Sequence, residues 1–271
     1  MNAAWTAPRR WTPALRATAA LHAGGVVAAL ALPAAWPAVL AGLAANHLVL
    51  FGAGLAPRSR LLGPNLSRLP PAAVARREIA LTFDDGPDPA TTPAVLDLLD
   101  AHGATATFFC VGERAAVAGE LVQEIVRRGH RVENHTHRHS TRFGWYGPAR
   151  LAREIGDAQA VLVRLAGAAP RFFRAPFGVR NPFLEPALAR AGLRLVSWTR
   201  RGYDAVDADP RRVLARLSAS LAPGDILVLH DGVATGGRAD RRVVLEVLPR
   251  LLERAASAAL VPVTLQAACR R

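Results

Sequence analysis

The sequence predicts an α/β fold: a barrel of about seven strands with intervening helices, preceded by an N-terminal hydrophobic helical segment. Three observations carry this reading. From residue 78 onward, short runs rich in β-branched and aromatic residues alternate with longer helical stretches, the pattern of strand–helix units around a parallel sheet. Asp84 and Asp85, His135, Arg174 and His230 stand at or just past the C-terminal ends of different candidate strands, the rim where barrel enzymes gather their reactive groups. Two apolar stretches occupy the first 60 residues. At 271 residues and 51% hydrophobic, the chain is long enough for one domain plus an appendage and too apolar for disorder.

The first apolar stretch runs from Ala14 to Leu32, interrupted by Arg16 and His22, and the second from Ala34 to Leu55, carrying Asn46 and His47. Each is near the roughly 20 residues that a membrane helix needs. Pro33 and Pro37 at the junction allow a helical hairpin across the bilayer, or one span preceded by an interfacial or signal-like segment. A soluble helical pair is the plain alternative, and the near-absence of charge opposes it. Arg9, Arg10 and Arg16 precede the apolar region, and Arg58, Arg60 and Arg68 follow it. Because cytoplasmic flanks carry the excess of arginine, a hairpin would put the rest of the chain in the cytosol, and a single span would put it outside. Residues 1–60 are therefore expected to anchor the chain in a cell membrane. Residues 61–76, rich in proline and arginine, read as a linker, and 77–271 as the main domain.

Candidate strands are Glu78 to Phe83, Thr105 to Val111, His130 to Asn134, Arg171 to Arg174, Arg194 to Thr199, Asp225 to His230 and Ala259 to Leu265. Between them lie candidate helices at Thr92 to Ala101, Gly119 to Arg128, Pro148 to Leu165, Pro182 to Ala191, Pro210 to Leu221 and Asp240 to Ala256. The two cysteines, Cys110 and Cys269, are too far apart for a metal-binding spacing and give no disulfide framework. The net charge of +13 comes from 34 basic residues, all arginine and scattered. Without a basic stripe interleaved with aromatics, no nucleic-acid partner is expected; an arginine-biased solvated surface is the plain reading, attraction to anionic lipid or a phosphorylated carrier is the alternative, and charge alone names no partner.

In Leu81-Thr82-Phe83-Asp84-Asp85-Gly86-Pro87, two adjacent carboxylates leave an apolar strand and the chain turns at once. One can bind a metal while its neighbour handles a proton, although such a pair is often only a solvated cap. His135-Thr136-His137-Arg138-His139 packs three of the eight histidines into five residues, a density typical of metal sites. His135 and His139, at i and i+4, share a face if the segment opens into a turn, which Asn134 and Gly144 favour; pairing at i and i+2 would require extended backbone.

These two segments resemble the first two motifs of the polysaccharide deacetylase (NodB-homology) family, carbohydrate esterase family 4. Arg174-Ala175-Pro176-Phe177 is similar to its third motif, Arg-x-Pro-Tyr, and Leu227-Val228-Leu229-His230 to its fifth, Leu-x-Leu-His. The fourth, which normally ends in Asp-Trp, is represented by Trp198 and then Asp204, with Ala205 in place of tryptophan. The resemblance implies a distorted (β/α) barrel and a divalent metal, commonly zinc, held by Asp85, His135 and His139. It implies Asp84 as general base, His230 as general acid, Arg174 and Asp204 as their respective partners, and the backbone amide of Phe177 as an oxyanion donor. The implied reaction is hydrolysis of an N-acetyl group on an amino sugar of a polysaccharide, oligosaccharide or lipid-linked glycan.

Two departures from the family pattern differ in weight. Phe177 for tyrosine is tolerated because the main-chain N–H is what the family uses. Ala205 for tryptophan removes an aromatic wall that Trp145, Tyr146 or Trp198 could replace. Two rivals remain: an amidohydrolase-type barrel using His135 and His137 as a His-x-His pair, and a membrane-tethered carbohydrate-binding barrel without turnover. His102 and His130 lack motif context and read as structural.

Overall fold

The computed structural model describes residues 11–232 and 242–270. Arg9 and Arg10, expected to flank the first span, and Asp240, the expected start of the last helix, lie outside the described residues. The N-terminal elements are α1 (Pro13–Ala31), α2 (Trp36–Leu55) and α3 (Pro71–Ala75). There follow β1 (Glu78–Asp84), α4 (Thr92–Ala101), β2 (Ala106–Cys110), α5 (Gly112–Val117), α6 (Gly119–Arg127), β3 (Arg131–Asn134), α7 (Pro148–Ala166) and β4 (Phe172–Phe173). The chain ends with α8 (Leu184–Arg190), β5 (Arg194–Leu195), β6 (Arg200–Arg201), α9 (Pro210–Ser218), β7 (Ile226–His230), α10 (Arg242–Ser257), β8 (Val261–Pro262) and α11 (Leu265–Ala268).

All strand pairings are parallel, and seven strands run in the order β5-β4-β3-β2-β1-β7-β6, with β8 beside the start of β1. The result is a curved, half-closed barrel wrapped by helices, as the alternation of elements predicts. Side chains of a strand point to opposite faces in turn, and β1 shows what this achieves. Ile79, Leu81 and Phe83 pack outward in one cluster with Val95, Leu96 and Leu99 of α4 and Val247, Leu248 and Leu251 of α10. Ala80 faces inward with Phe109, Phe172 and Ile226 over the plug formed by Leu265 and Ala268 of α11. Thr82 and Asp84 continue that inward line, so the interior changes from apolar at the bottom to acidic at the rim.

Several boundaries differ from the sequence expectation. The expected strand from Arg194 to Thr199 divides in two, because its residues serve different neighbours: β5 pairs with β4, and β6 pairs with Leu227 and Val228 of β7. Val196 between them bridges instead to Leu66. The six-residue α5 is too short for a periodic signal. Residues 61–76, read as a linker, are held against the sheet by that bridge, by burial of Leu69 and Ala73 and by an Arg68–Asp225 ion pair at 3.0 Å.

The two apolar stretches form a helical hairpin turned at Pro33–Ala35. Gly25 lets the helices approach, since a Cβ there would lie 2.9 Å from Val39 Cγ1. Thr18 Oγ1 donates to Asn46 Oδ1 (3.0 Å), and the His22 and His47 Nε2 atoms are 3.3 Å apart, so these four polar side chains face one another across the hairpin. Both helices are long and apolar enough to cross a membrane. At the open end Thr12 Oγ1 donates to the Leu61 carbonyl (2.9 Å), which fixes residues 12 and 61 on the same side.

Candidate active site

Asp85 is the first residue beyond β1, and His135 the first beyond β3. The Asn134 Oδ1 atom accepts the Thr136 N–H and Thr136 Oγ1 accepts the His139 N–H, each at 3.0 Å. Such side-chain turns offer the backbone an alternative to continuing the strand. They fold the histidine-rich stretch back on itself. His135 Nε2 then lies 3.3 Å and His139 Nε2 3.0 Å from Asp85 Oδ1, and the three donor atoms fall within 4.8 Å of one another. His137 is outside the group: it packs against Gly112, and its carbonyl accepts the Glu113 N–H. The His-x-His pairing is therefore not assembled.

The electrostatics of this trio fit a cation. His135 Nδ1 contacts the Arg174 carbonyl at 2.9 Å; a carbonyl can only accept, so Nδ1 carries a proton, and the ring is oriented with Nε2 toward Asp85. Burial, reinforced by His135, pushes His139 down to about 4 and keeps its ring neutral. Burial alone raises the Asp85 carboxyl, but contact with His135 and the fields of His139 and His230 outweigh it and hold the group well below the usual carboxylate range. Asp85 Oδ1 is buried without a hydrogen-bond donor. Lone pairs converging in a buried space are costly unless a cation satisfies them.

Asp84 points into the barrel beside this group. Its Oδ1 accepts from Arg174 Nη1 at 2.6 Å, and Arg174 also donates to Thr82 Oγ1 (2.7 Å) and the Ser197 carbonyl (3.1 Å). The fully buried guanidinium lies over the Phe109 ring, 4.1 Å from its centroid. Burial lowers its pKa and Asp84 opposes that shift. Across the rim, Asp204 Oδ1 is 2.9 Å from His230 Nδ1 while Oδ2 accepts the His230 N–H at 2.7 Å. Burial favours neutral His230, but Asp204 prevails and raises it to about 9.

Every site residue expected from the sequence thus lies around one rim. Phe177 adopts a left-handed conformation (φ 58°), and its ring meets His139 edge-on with centroids 5.0 Å apart. Asp85, Thr136, His139 and Tyr203, which precedes Asp204, also have positive φ. Such conformations cost energy in non-glycine residues and persist where the surroundings enforce them.

Sequence reasoning missed the supports. Thr82 and Ser197 hold Arg174, and Phe109 forms the floor beneath it. Buried Asp231 accepts from Thr92 Oγ1 (2.6 Å) and crowds Gly86 so closely that a Cβ there would collide with its carboxylate. Burial raises this carboxyl to about 7. The only sequence signal was adjacency: Asp231 follows His230, and Thr82 lies two residues before Asp84. His130 is structural, accepting the Ala106 N–H at 3.2 Å, and exposed His102 contacts the Leu98 carbonyl of its own helix.

The profile of the polysaccharide deacetylase family matches residues 72–196. A chitooligosaccharide deacetylase of Bradyrhizobium sp. (strain ANU 289) is 38% identical over 161 residues, covering 59% of this chain and 73% of the relative. The chain belongs to the polysaccharide deacetylase family. A peptidoglycan-N-acetylglucosamine deacetylase of Bacillus cereus is 31% identical, with 69% of this chain and 68% of the relative covered. Among solved structures, a family 4 carbohydrate esterase from Streptomyces lividans in complex with acetate superposes with a TM-score of 0.62 at 30% identity, covering 68% of this chain and 91% of that one. A pseudoenzyme of the same family from Bacillus anthracis shares the fold at 17% identity and a TM-score of 0.67.

Within the family pattern, Ala205 is buried where tryptophan is usual. Of the three aromatics that could replace it, Trp198 reaches the site: its ring lies near the Arg174 and Arg201 guanidinium groups (5.9 and 5.0 Å) and closes on Gly178. Tyr146 is buried in a side cluster with Phe143 and Leu151. Trp145 is 78% exposed and turned outward beside Phe51 of α2, with ring centroids 6.2 Å apart.

Proposed function

We propose that this protein is a membrane-anchored, metal-dependent deacetylase that hydrolyses the N-acetyl group of an amino sugar in a glycan. The observation carrying this reading is the meeting of Asp85, His135 and His139 on one side of Asp84, with the Asp204–His230 pair across the rim. A carboxylate and two imidazoles suit zinc and leave coordination positions open. A cation held there would supply Lewis acidity and make water acidic enough to attack near neutral pH.

The remaining steps belong to the chain. Asp84 accepts the proton of the attacking water, and Arg174 keeps it aimed at the rim. The Phe177 amide donates to the oxyanion as the carbonyl carbon becomes tetrahedral. His230, kept protonated by Asp204, gives its proton to the departing amine, without which an amide does not cleave. The two buried ion pairs favour catalysis over a silent sugar-binding barrel, because binding alone needs neither a base nor an acid. The apolar hairpin is the anchor, since almost none of its surface is covered by the rest of the protein.

The test is acetate release from N-acetylated chitooligosaccharides and peptidoglycan fragments, before and after chelation and after restoring zinc. Release that needs the metal and falls by a factor of about 10² to 10⁴ in Asp84→Asn is expected. Equal release from wild type and Asp84→Asn would end this mechanism.

A further inference from the structure

The loops that carry the site rest on the end of the membrane helix. The segment after β4 passes from Arg174 through Phe177 and Gly178 to Arg180. A Cβ on Gly178 would lie 3.0 Å from Pro57 Cβ, just beyond α2. The Arg180 N–H donates to the Gly54 carbonyl at 3.0 Å. Arg180 Nη2 donates to the carbonyls of Ala56 (3.2 Å) and Ser59 (2.8 Å). Gly54 itself has no space for a side chain against the Arg180 backbone.

The segment after β3 reaches the same place. Six residues past His139, Trp145 stands beside Phe51, and Asn181 Nδ2 ties the two segments together by donating to the Gly144 and Tyr146 carbonyls (3.1 and 2.8 Å). Phe51, Trp145, Phe177 and Phe183 are all substantially exposed. The apolar surface of the hairpin thus continues onto the rim that holds His139.

We infer that the mouth of the site opens at the bilayer surface and takes an N-acetylated amino sugar carried on an anionic lipid, whose tail stays in the membrane. This deepens the deacetylase reading and rests on it. Helices of 19 and 20 residues are about 28–30 Å long, enough to cross the hydrocarbon core. Phe51, one turn from the end of α2, and Trp145 beside it then lie at the interface, where aromatic side chains concentrate.

Charge fits the same geometry. The open end of the hairpin carries Arg16, Arg58 and Arg60, whereas its turn, Leu32 to Pro37, carries no charge. Arg58 and Arg60 are exposed and make no ion pair among the described residues. The asymmetry places the open end on the cytoplasmic side, and the exposed arginines offer guanidinium groups for an anionic linkage near the mouth. A site on that face meets lipid-borne sugars rather than assembled wall polymer.

The experiment uses the full chain reconstituted with zinc in phosphatidylethanolamine–phosphatidylglycerol vesicles. Acetate release is compared between a synthetic N-acetylglucosaminyl diphosphoryl polyprenol in the vesicles and soluble triacetylchitotriose at equal bulk concentration. We expect release from the lipid-borne sugar to be faster by about tenfold or more, because co-localisation raises its effective concentration. A Trp5→Phe/Trp11→Phe/Trp36→Phe variant, leaving Trp145 and the buried Trp198, is read in vesicles containing lipids brominated near the headgroup, where strong quenching is expected. A soluble substrate cleaved as fast as the lipid-borne one, or fluorescence unaffected by the bromolipid, overturns this inference and leaves the deacetylase reading standing. Release from neither substrate overturns both.

Discussion

Asp204 grips His230 at two points, with one carboxylate oxygen 2.9 Å from the ring Nδ1 and the other accepting the backbone N–H at 2.7 Å. The pair is built across separate segments, the acid in the loop after β6 and the histidine at the end of β7. It fixes which ring nitrogen faces the carboxylate and directs Nε2 to the other edge of the ring.

That grip predicts a pH dependence. A histidine raised from 6.5 to about 9 contributes stability that is fully present below pH 6.5 and is lost as pH rises through 9. In metal-free protein, the wild-type melting temperature should fall through that window more than that of Asp204→Asn, as thermal unfolding at a series of pH values would show. In the zinc-loaded enzyme, Asp204→Asn should move the alkaline limb of kcat/KM for acetate release to lower pH.

The three histidines of the His135-Thr136-His137-Arg138-His139 stretch should separate by function. His139→Ala removes a donor from the buried trio and should abolish stoichiometric zinc binding, measured by calorimetry and by metal content after dialysis. His137→Ala should keep the metal, because that ring packs on Gly112 rather than on Asp85.

Removing Arg174 leaves Asp84 buried without its cation. Arg174→Met should destabilise the fold by about 3–5 kcal/mol, the usual consequence of breaking one partner of a buried ion pair. Arg174→Met/Asp84→Asn, which removes both charges, should recover part of that loss in urea denaturation. Additive losses from the two changes would show that the pair is not coupled.

Gly86 is required by space as well as by the turn. Gly86→Ala drives a Cβ into the Asp231 carboxylate and should cost about 1–3 kcal/mol, as overpacking does. In an Asp231→Ala background the same change should cost clearly less, a double-mutant cycle readable by thermal unfolding.

A reporter fused at either terminus should register the same, cytoplasmic, side of the membrane. The Thr12–Leu61 hydrogen bond brings both ends of the hairpin together, and the arginines lie at that end. Opposite signals from N- and C-terminal fusions would replace the hairpin with a single span.

Much of this architecture was legible because it repeats. The strand pattern in Glu78 to Phe83 and the helical spacing in Thr92 to Ala101 are short-range consequences of the two backbone periods, and both became elements, the strand running one residue further to Asp84. Two-residue strands such as β4 and β6 lack a period, and pairing with neighbours far along the chain defines them. Arg194 to Thr199 looked like one strand because local propensity cannot register that its two halves border different neighbours.

The sequence by itself determined the repertoire of this protein: the adjacent acids, the clustered histidines, the arginine and histidine at strand ends, and two apolar segments of membrane length. Only the tertiary structure decided which of these groups meet. His139 rather than His137 turns toward Asp85 because Asn134 and Thr136 cap the loop from within, and Thr82 and Asp231 take part because strand register brings them there. The end of α2 joins the rim through backbone contacts at Gly54 and Arg180, 126 positions apart in the chain. Side-chain chemistry is written residue by residue, whereas convergence depends on long-range packing, which no local window of sequence contains.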